Sequence, residues 1–353
     1  MALICAMPLL AQVDPPEDDD DDFDFSEFEL AAPPSKSFCT NKVLGQTPTT
    51  LIGVSYDVQL RHDLTANSPV GVMPSVGEEV TINPARAFNI IGNFPLISKN
   101  NLLINMNLIY QRQDYSMEGE LQHPLNRSLA ENGLNRTATL FTVFKPLDDK
   151  RFILGQAGLE LNGDYDFGLQ SLSTLRVPAA LLYGFKPNDR LMYAFGLSRT
   201  YLGGPLNYVP VVYYYHTFKD QRWGIEALAP ARAYLRYRFS SLSLLSIGYN
   251  VVGATYRLND FGDFARELDE DNPLIARDVE LRRSEIRAGI NFQKRLFGFF
   301  WLVAEAGYRI NYTFELDRDG DFLRFWGDDT PYFIENDLRD TPYISIGISY
   351  MSP

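Results

Sequence analysis

Thr341-Pro-Tyr-Ile-Ser-Ile-Gly-Ile-Ser-Tyr-Met351 is the stretch that decides the fold. Side chains alternate every two residues along a strand, so Ile344, Ile346, Ile348 and Tyr350 share one face and Ser345, Gly347 and Ser349 the other. A soluble sandwich would turn the apolar face into a core. A membrane barrel turns it out to lipid and keeps the small polar face for the lumen. Residues 51–61 repeat the pattern, with Ile52, Val54, Tyr56, Val58 and Leu60 opposite Gly53, Ser55, Asp57, Gln59 and Arg61. The two stretches are expected to pair and close a barrel, which removes the open strand edges that hydrocarbon cannot satisfy.

The sequence between them reads as further copies of this element. In 101–115, Leu102, Ile104, Met106, Leu108 and Tyr110 alternate with a set that includes Asn105, Asn107 and Gln111. Strands are also expected in 175–185, 191–197, 286–292 and 300–312. Short turns share a signature: Phe144-Lys-Pro-Leu-Asp-Asp-Lys-Arg-Phe152, Phe185-Lys-Pro-Asn-Asp-Arg190 and Phe218-Lys-Asp-Gln-Arg-Trp223. An aromatic followed by Lys at each turn fits an interfacial girdle with lysines reaching the headgroups. Long connections fall near 62–84, 116–136, 162–173, 258–279 and 316–340, and tighter breaks at Gly203-Gly204-Pro205 and Pro230 must join that set. No apolar run reaches the roughly 18 residues of a spanning helix. The expected fold is all-β: a transmembrane antiparallel up-and-down β-barrel of about fourteen strands over residues 50–353, with both termini on the short-turn side.

Residues 1–12 look like a secretory signal without its basic start, either truncated or unusually short. Residues 13–49 read as an acidic, largely disordered periplasmic segment. Ten carboxylates and no basic residue lie within 14–29, so the formal charge of −13 falls to −3 without them. The body is nearly neutral and carries no basic patch for nucleic acid. Phe23, Phe25 and Phe28 alternate with acids. They mark a solvated spacer, a docking segment for a basic periplasmic or outer-membrane protein partner, or a plug that folds into the lumen, and metal binding by the aspartate run is a further reading. Of two cysteines, Cys5 lies in the signal-like start and Cys39 stands alone, so no internal disulfide is expected.

The signal-like start, the aromatic-Lys-Pro turns, the segment Trp223-Gly-Ile-Glu-Ala-Leu-Ala-Pro-Ala-Arg-Ala-Tyr-Leu-Arg-Tyr-Arg238 and the closing strand resemble uncharacterised outer-membrane β-barrel proteins of the Bacteroidetes type, a family of unknown function. The resemblance spans roughly 50–351. It implies a barrel in the outer membrane of a Gram-negative bacterium, among its lipids, and no established activity. Many barrels finish on an aromatic residue, whereas here Met-Ser-Pro follows Tyr350.

Candidate chemistry is sparse. His62, His123 and His216 show no zinc spacing, and no Ser-His pairing of the kind a barrel lipase needs is apparent. The chain is therefore not expected to be an enzyme or to hold a cofactor. Asp317, Asp319 and Asp321 alternate as in calcium loops but lack the distal bidentate Glu, so an acidic external turn competes with a metal site. The informative set is the expected inner wall. Arg232, Arg236 and Arg238 share a face. Arg283, Glu285 and Arg287 share another, Glu305 and Arg309 a third, and Glu226 joins them. Charges at membrane depth survive only facing an interior. They form either a ladder of Arg–Glu pairs bracing the wall or a selectivity surface. The expected function is a channel or transporter for small polar solutes. The alternatives are a structural or assembly subunit docked through the acidic tail and, disfavoured, a barrel enzyme.

Overall fold

The computed structural model describes residues 37–69, 77–165, 175–268, 274–275, 279–318 and 331–352. They form seventeen strands and two helices. The strands are β1 (Thr49–Gln59), β2 (His62–Ala66), β3 (Glu78–Lys99), β4 (Leu102–Met117), β5 (Leu134–Pro146), β6 (Arg151–Gly163), β7 (Leu175–Arg176), β8 (Ala179–Asn188) and β9 (Leu191–Thr200). They continue as β10 (Asn207–Thr217), β11 (Trp223–Ala229), β12 (Arg232–Ser240), β13 (Ser243–Leu258), β14 (Val279–Phe297), β15 (Phe300–Arg318), β16 (Asp337–Leu338) and β17 (Thr341–Ser352). The helices are α1 (Pro124–Glu131) and α2 (Phe261–Leu268). Strands β2, β7 and β16 are short additions, and the other fourteen form one antiparallel ring. β1 and β17 close it, with Val54 opposite Ile348 and Asp57 opposite Ser345. The break at Pro230 is the turn between β11 and β12, which keeps the strand number even.

Alternation assigns the faces as the sequence predicts. Leu181 (64%), Leu197 (63%) and Ile346 (55%) stand exposed around the outside. So large and continuous an apolar surface is a lipid contact. Tilted aromatic pairs gather where strands meet short turns: Phe185 with Tyr193, Trp223 with Tyr237, and Phe297 with Phe300. This is a girdle at one membrane face. The barrel is of the outer-membrane type, with short turns at one end and long loops at the other.

The wall is uneven in height. β8 to β12 have 7 to 11 residues, whereas β3 has 22 and β14 and β15 have 19 each. Above the low stretch the tall strands reach across. Gly163 at the end of β6 pairs in parallel with Arg257 of β13, although β8 to β12 separate them in the ring. The Asp164 carboxylate ties this junction to α1 and to the chain after β13, accepting from Ser128 Oγ at 3.0 Å and Asn259 N at 2.8 Å. Beneath the junction lies an apolar core of lumen-facing and loop residues, among them Leu64, Ile82, Leu125, Leu129, Phe261, Leu281, Phe314 and Leu338. It caps the barrel on the long-loop side. The opposite faces of β13, β14 and β15 are covered too: Thr255, Ser284 and Thr313 donate to the carbonyls of Gly204, Leu202 and Gly203 in the β9–β10 connection.

His123 caps α1. Its Nδ1 accepts from Leu125 N at 3.2 Å while Nε2 faces the Asn67 carbonyl at 3.0 Å, an arrangement only the neutral ring can make. Burial pushes its pKa down to about 4. The unfolded cap therefore takes the proton first, so the stabilisation is complete above the ordinary value of about 6.5 and fades as pH falls toward 4, a loss of about 2–3 kcal/mol. Proteolysis between β4 and β5 is expected to accelerate in that window. His123→Asn, which preserves a capping side chain, is expected to flatten the dependence.

One boundary needs correcting. Residues 38–48, expected within the disordered segment, belong to the barrel unit, which begins at Phe38. The physical reason is apolar burial: Cys39 and Val43 pack into a core with Phe144, Phe152, Leu182, Met192 and Val211. The signal-like 1–12, the acidic run and Phe23, Phe25 and Phe28 lie outside the described residues, as do Asp319 and Asp321.

Candidate functional site

Three layers occupy the lumen below the cap. The upper layer is an ion network centred on Glu285. Arg283 Nη2 and Arg287 Nε each lie 2.6 Å from its carboxylate, and Arg309 Nη1 lies at 3.9 Å. Arg287 also pairs with Asp57 at 2.9 Å, and Arg283 donates to Gln113 Oε1. Arg309 reaches the Arg339 carbonyl. The network joins β1, β4, β14 and β15 across the lumen. Glu285, Asp57, Gln113 and Arg309 are all buried. Charges so placed are held by one another, since desolvation leaves no other way to satisfy them.

The lowest layer is a strap, residues 38–48. Its backbone is pinned to the short turns: Cys39 N donates to Asp148 O and Leu44 N to Asp189 O. Lumen side chains hold it from above. Lys186 donates to Thr40 Oγ1 and, at 2.8 Å, to the Lys42 carbonyl. Arg238 donates to the carbonyls of Gly45 and Gln46 at 2.9 and 3.0 Å. Glu226 accepts from Thr47 N at 2.9 Å and Thr47 Oγ1 at 3.0 Å. Two residues later Thr49 pairs with Ser352 at the closing seam. Two residues reach at most about 7 Å, so the strap draws the β11 wall and the seam together across the base.

Between these layers lies a chamber of about 570 Å³. Gln46, Thr47 and Pro48 of the strap line one side, and Tyr215, Glu226, Arg232, Tyr234, Asn93, Asn107, Asn291 and Gln293 supply polar groups. Glu226 is neutralised by Arg236 at 2.9 Å. Arg236 is buried and also donates to Thr217 Oγ1. Arg232 is different. It is exposed to the chamber, with Tyr215 and Glu226 as polar neighbours, and no carboxylate lies within ion-pair distance of it among the described residues.

The predicted charge set is therefore split by height. Glu285, Arg287 and Arg309 form the upper network. Glu226, Arg232, Arg236 and Arg238 surround the chamber and strap. Glu305 stands between, taking bonds from Tyr343 Oη and Asn291 Nδ2. The upper group is buried and mutually paired, whereas in the lower group Arg232 is exposed and Arg236 is buried. None of the three histidines lines the chamber. His62 bonds the Leu60 carbonyl, His123 caps α1, and His216 sits on the outer face against Phe218. Asp317 pairs with Arg282 at 3.0 Å. Sequence reasoning allowed the tail to plug the lumen without singling out residues 38–48, and it missed the cap helices.

No protein-family model matches the sequence, and no curated protein matches it either. Among solved structures the chain is similar to an outer membrane channel of Pseudomonas putida F1, with 9% identity over 86% of this chain and 97% of that one, at a TM-score of 0.39. It is also similar to the NanC porin (11% identity, 82% and 100% coverage, TM-score 0.33). A third is the toluene transporter TodX of P. putida (9% identity, 87% and 91% coverage, TM-score 0.30).

Proposed function

We propose that this protein is a gated channel for small polar solutes in the outer membrane of a Gram-negative bacterium. The observation that carries this function is the chamber of about 570 Å³, solvent-accessible, lined by polar groups together with apolar ones such as Ile91 and Ile109, and bounded by residues of the chain itself. A barrel serving only as a scaffold has no need to keep such a space open while packing the lumen above it. The ion network and cap close the long-loop side, and the strap closes the other. The strap is the weaker closure, because only Cys39 and Val43 anchor it in a small core and the rest is held by hydrogen bonds, whereas the cap rests on a larger apolar core.

Liposome swelling tests the gate. Lys186→Ala combined with Arg238→Ala removes charge-assisted bonds to the strap, each worth about 1.5–3 kcal/mol. Uptake of small sugars is expected to rise about tenfold or more over the unaltered barrel. Equal uptake by both would remove the strap from the account.

A second function is favoured by one observation. The strap is continuous in sequence with the acidic segment carrying Phe23, Phe25 and Phe28. A periplasmic partner bound there would act on the strap directly, which joins the docking alternative to the gate. A pulldown dependent on residues 14–29 would support it, and a partner retained after their deletion would exclude it.

A further inference from the structure

We infer that the chamber binds a small hydroxylated organic anion, with Arg232 as the group that takes its carboxylate. The inference builds on the channel function and names its substrate class.

Electrostatics come first. Among the described residues, Arg232 is the chamber cation held by a neutral hydroxyl, that of Tyr215, with no carboxylate or carbonyl partner. Arg236 faces Glu226, Arg238 is spent on two strap carbonyls, and Arg287 lies between Glu285 and Asp57. Arg236 and Glu226 cancel, so Arg232 is the chamber-lining cation that has no carboxylate partner among the described residues, while the Glu305 carboxylate stands one residue back, behind Asn291. A guanidinium presents a planar fork that matches a carboxylate with two parallel hydrogen bonds. In a confined site such a charge is worth more than on an open surface.

The remaining lining selects the rest of the ligand. Tyr215 and Tyr234 hydroxyls and the amides of Asn93, Asn107, Asn291 and Gln293 surround the space. Phenols and amides both donate and accept, which suits hydroxyl groups. The volume of about 570 Å³ lies within the usual range for small-molecule sites of about 300–1,000 Å³. Asn107, Asn291 and Gln293 are already bonded through their NH2 groups, but Asn93 Oδ1 and Gln293 Oε1 have no partner among the described residues, and a purely inorganic anion offers them no hydroxyl donor. A neutral sugar would leave Arg232 without a carboxylate.

Calorimetric binding to the detergent-purified full chain tests this, with gluconate as probe and glucose and inorganic phosphate as comparators. Gluconate is expected to bind saturably, and both comparators at least about tenfold more weakly, the value of one charge-assisted contact. Arg232→Gln is expected to weaken gluconate by about tenfold to a hundredfold while leaving glucose unchanged. Arg232→Lys is expected to fall between, since it keeps the charge and loses the fork. Folding of each variant is checked by heat-modifiable gel mobility. Equal binding of gluconate and glucose, preference for phosphate, no gluconate binding, or full gluconate binding by a folded Arg232→Gln barrel would each overturn the inference. Binding in detergent needs no flux, so an Arg232-dependent gluconate site in a barrel that never conducts would leave the inference standing and overturn the channel.

Discussion

Replacing Glu285 by Gln is expected to destabilise the barrel by about 3–5 kcal/mol, the cost of breaking a buried ion group by removing one partner. The carboxylate faces Arg283, Arg287 and Arg309, and Arg309 is fully buried. An amide of the same shape leaves these cations against one another with only Asp57 in reach of Arg287. Urea unfolding in lipid vesicles, followed by tryptophan fluorescence, measures the effect. Glu305→Gln serves as the comparison. Its partners, Tyr343 and Asn291, are neutral, so a cost nearer 1 kcal/mol is expected. If Glu285→Gln cost no more than Glu305→Gln, the network would not be the structural seal described above.

The second large effect concerns the outer face. Ile346 lies midway along β17, opposite Tyr56 on β1 and Ala304 on β15, and is 55% exposed. Ile346→Arg places a charge near the bilayer midplane and is expected to cost about 2–4 kcal/mol in lipid. On a face wetted by water the same change would fall within about 0.5 kcal/mol. Ser345, its neighbour, points into the lumen between Asp57 and Glu305. Ser345→Asn is therefore expected to stay under about 1 kcal/mol. A neutral Ile346→Arg would contradict a lipid-facing surface.

Much of the architecture was legible in the sequence because strand period and turn chemistry are local signals. The alternation in Ile344-Ser-Ile-Gly-Ile348 and in 51–61 gave both the faces and the closing pair, and the Pro230 turn gave the even strand number. The strap was hidden by its surroundings. Cys39 and Val43 stand in a short stretch of mixed composition downstream of the acidic segment, and only the tertiary core shows that they are buried. The helix at Phe261–Leu268 did carry a readable signal: Phe261, Phe264, Ala265 and Leu268 recur at the helical spacing. Its place inside the long polar connection after β13 masks that signal.

The site was legible only as a set of inward charges. Alternation tells which side of the wall a residue faces, but its height depends on register and stagger around the ring. Arg232 and Arg287 share a lumen, yet one faces an open chamber and the other is locked between two carboxylates. That difference is what separates a binding group from a brace, and no local pattern encodes it.

The most direct test of the central claim is planar-bilayer conductance of the full chain and of a chain beginning at Pro48. The strap's grip on Lys186, Arg238 and Glu226 predicts rare or no steps from the full chain and sustained steps once the strap is gone. Silence in both forms, or equal conductance in both, would contradict a channel gated by its own N-terminal strap.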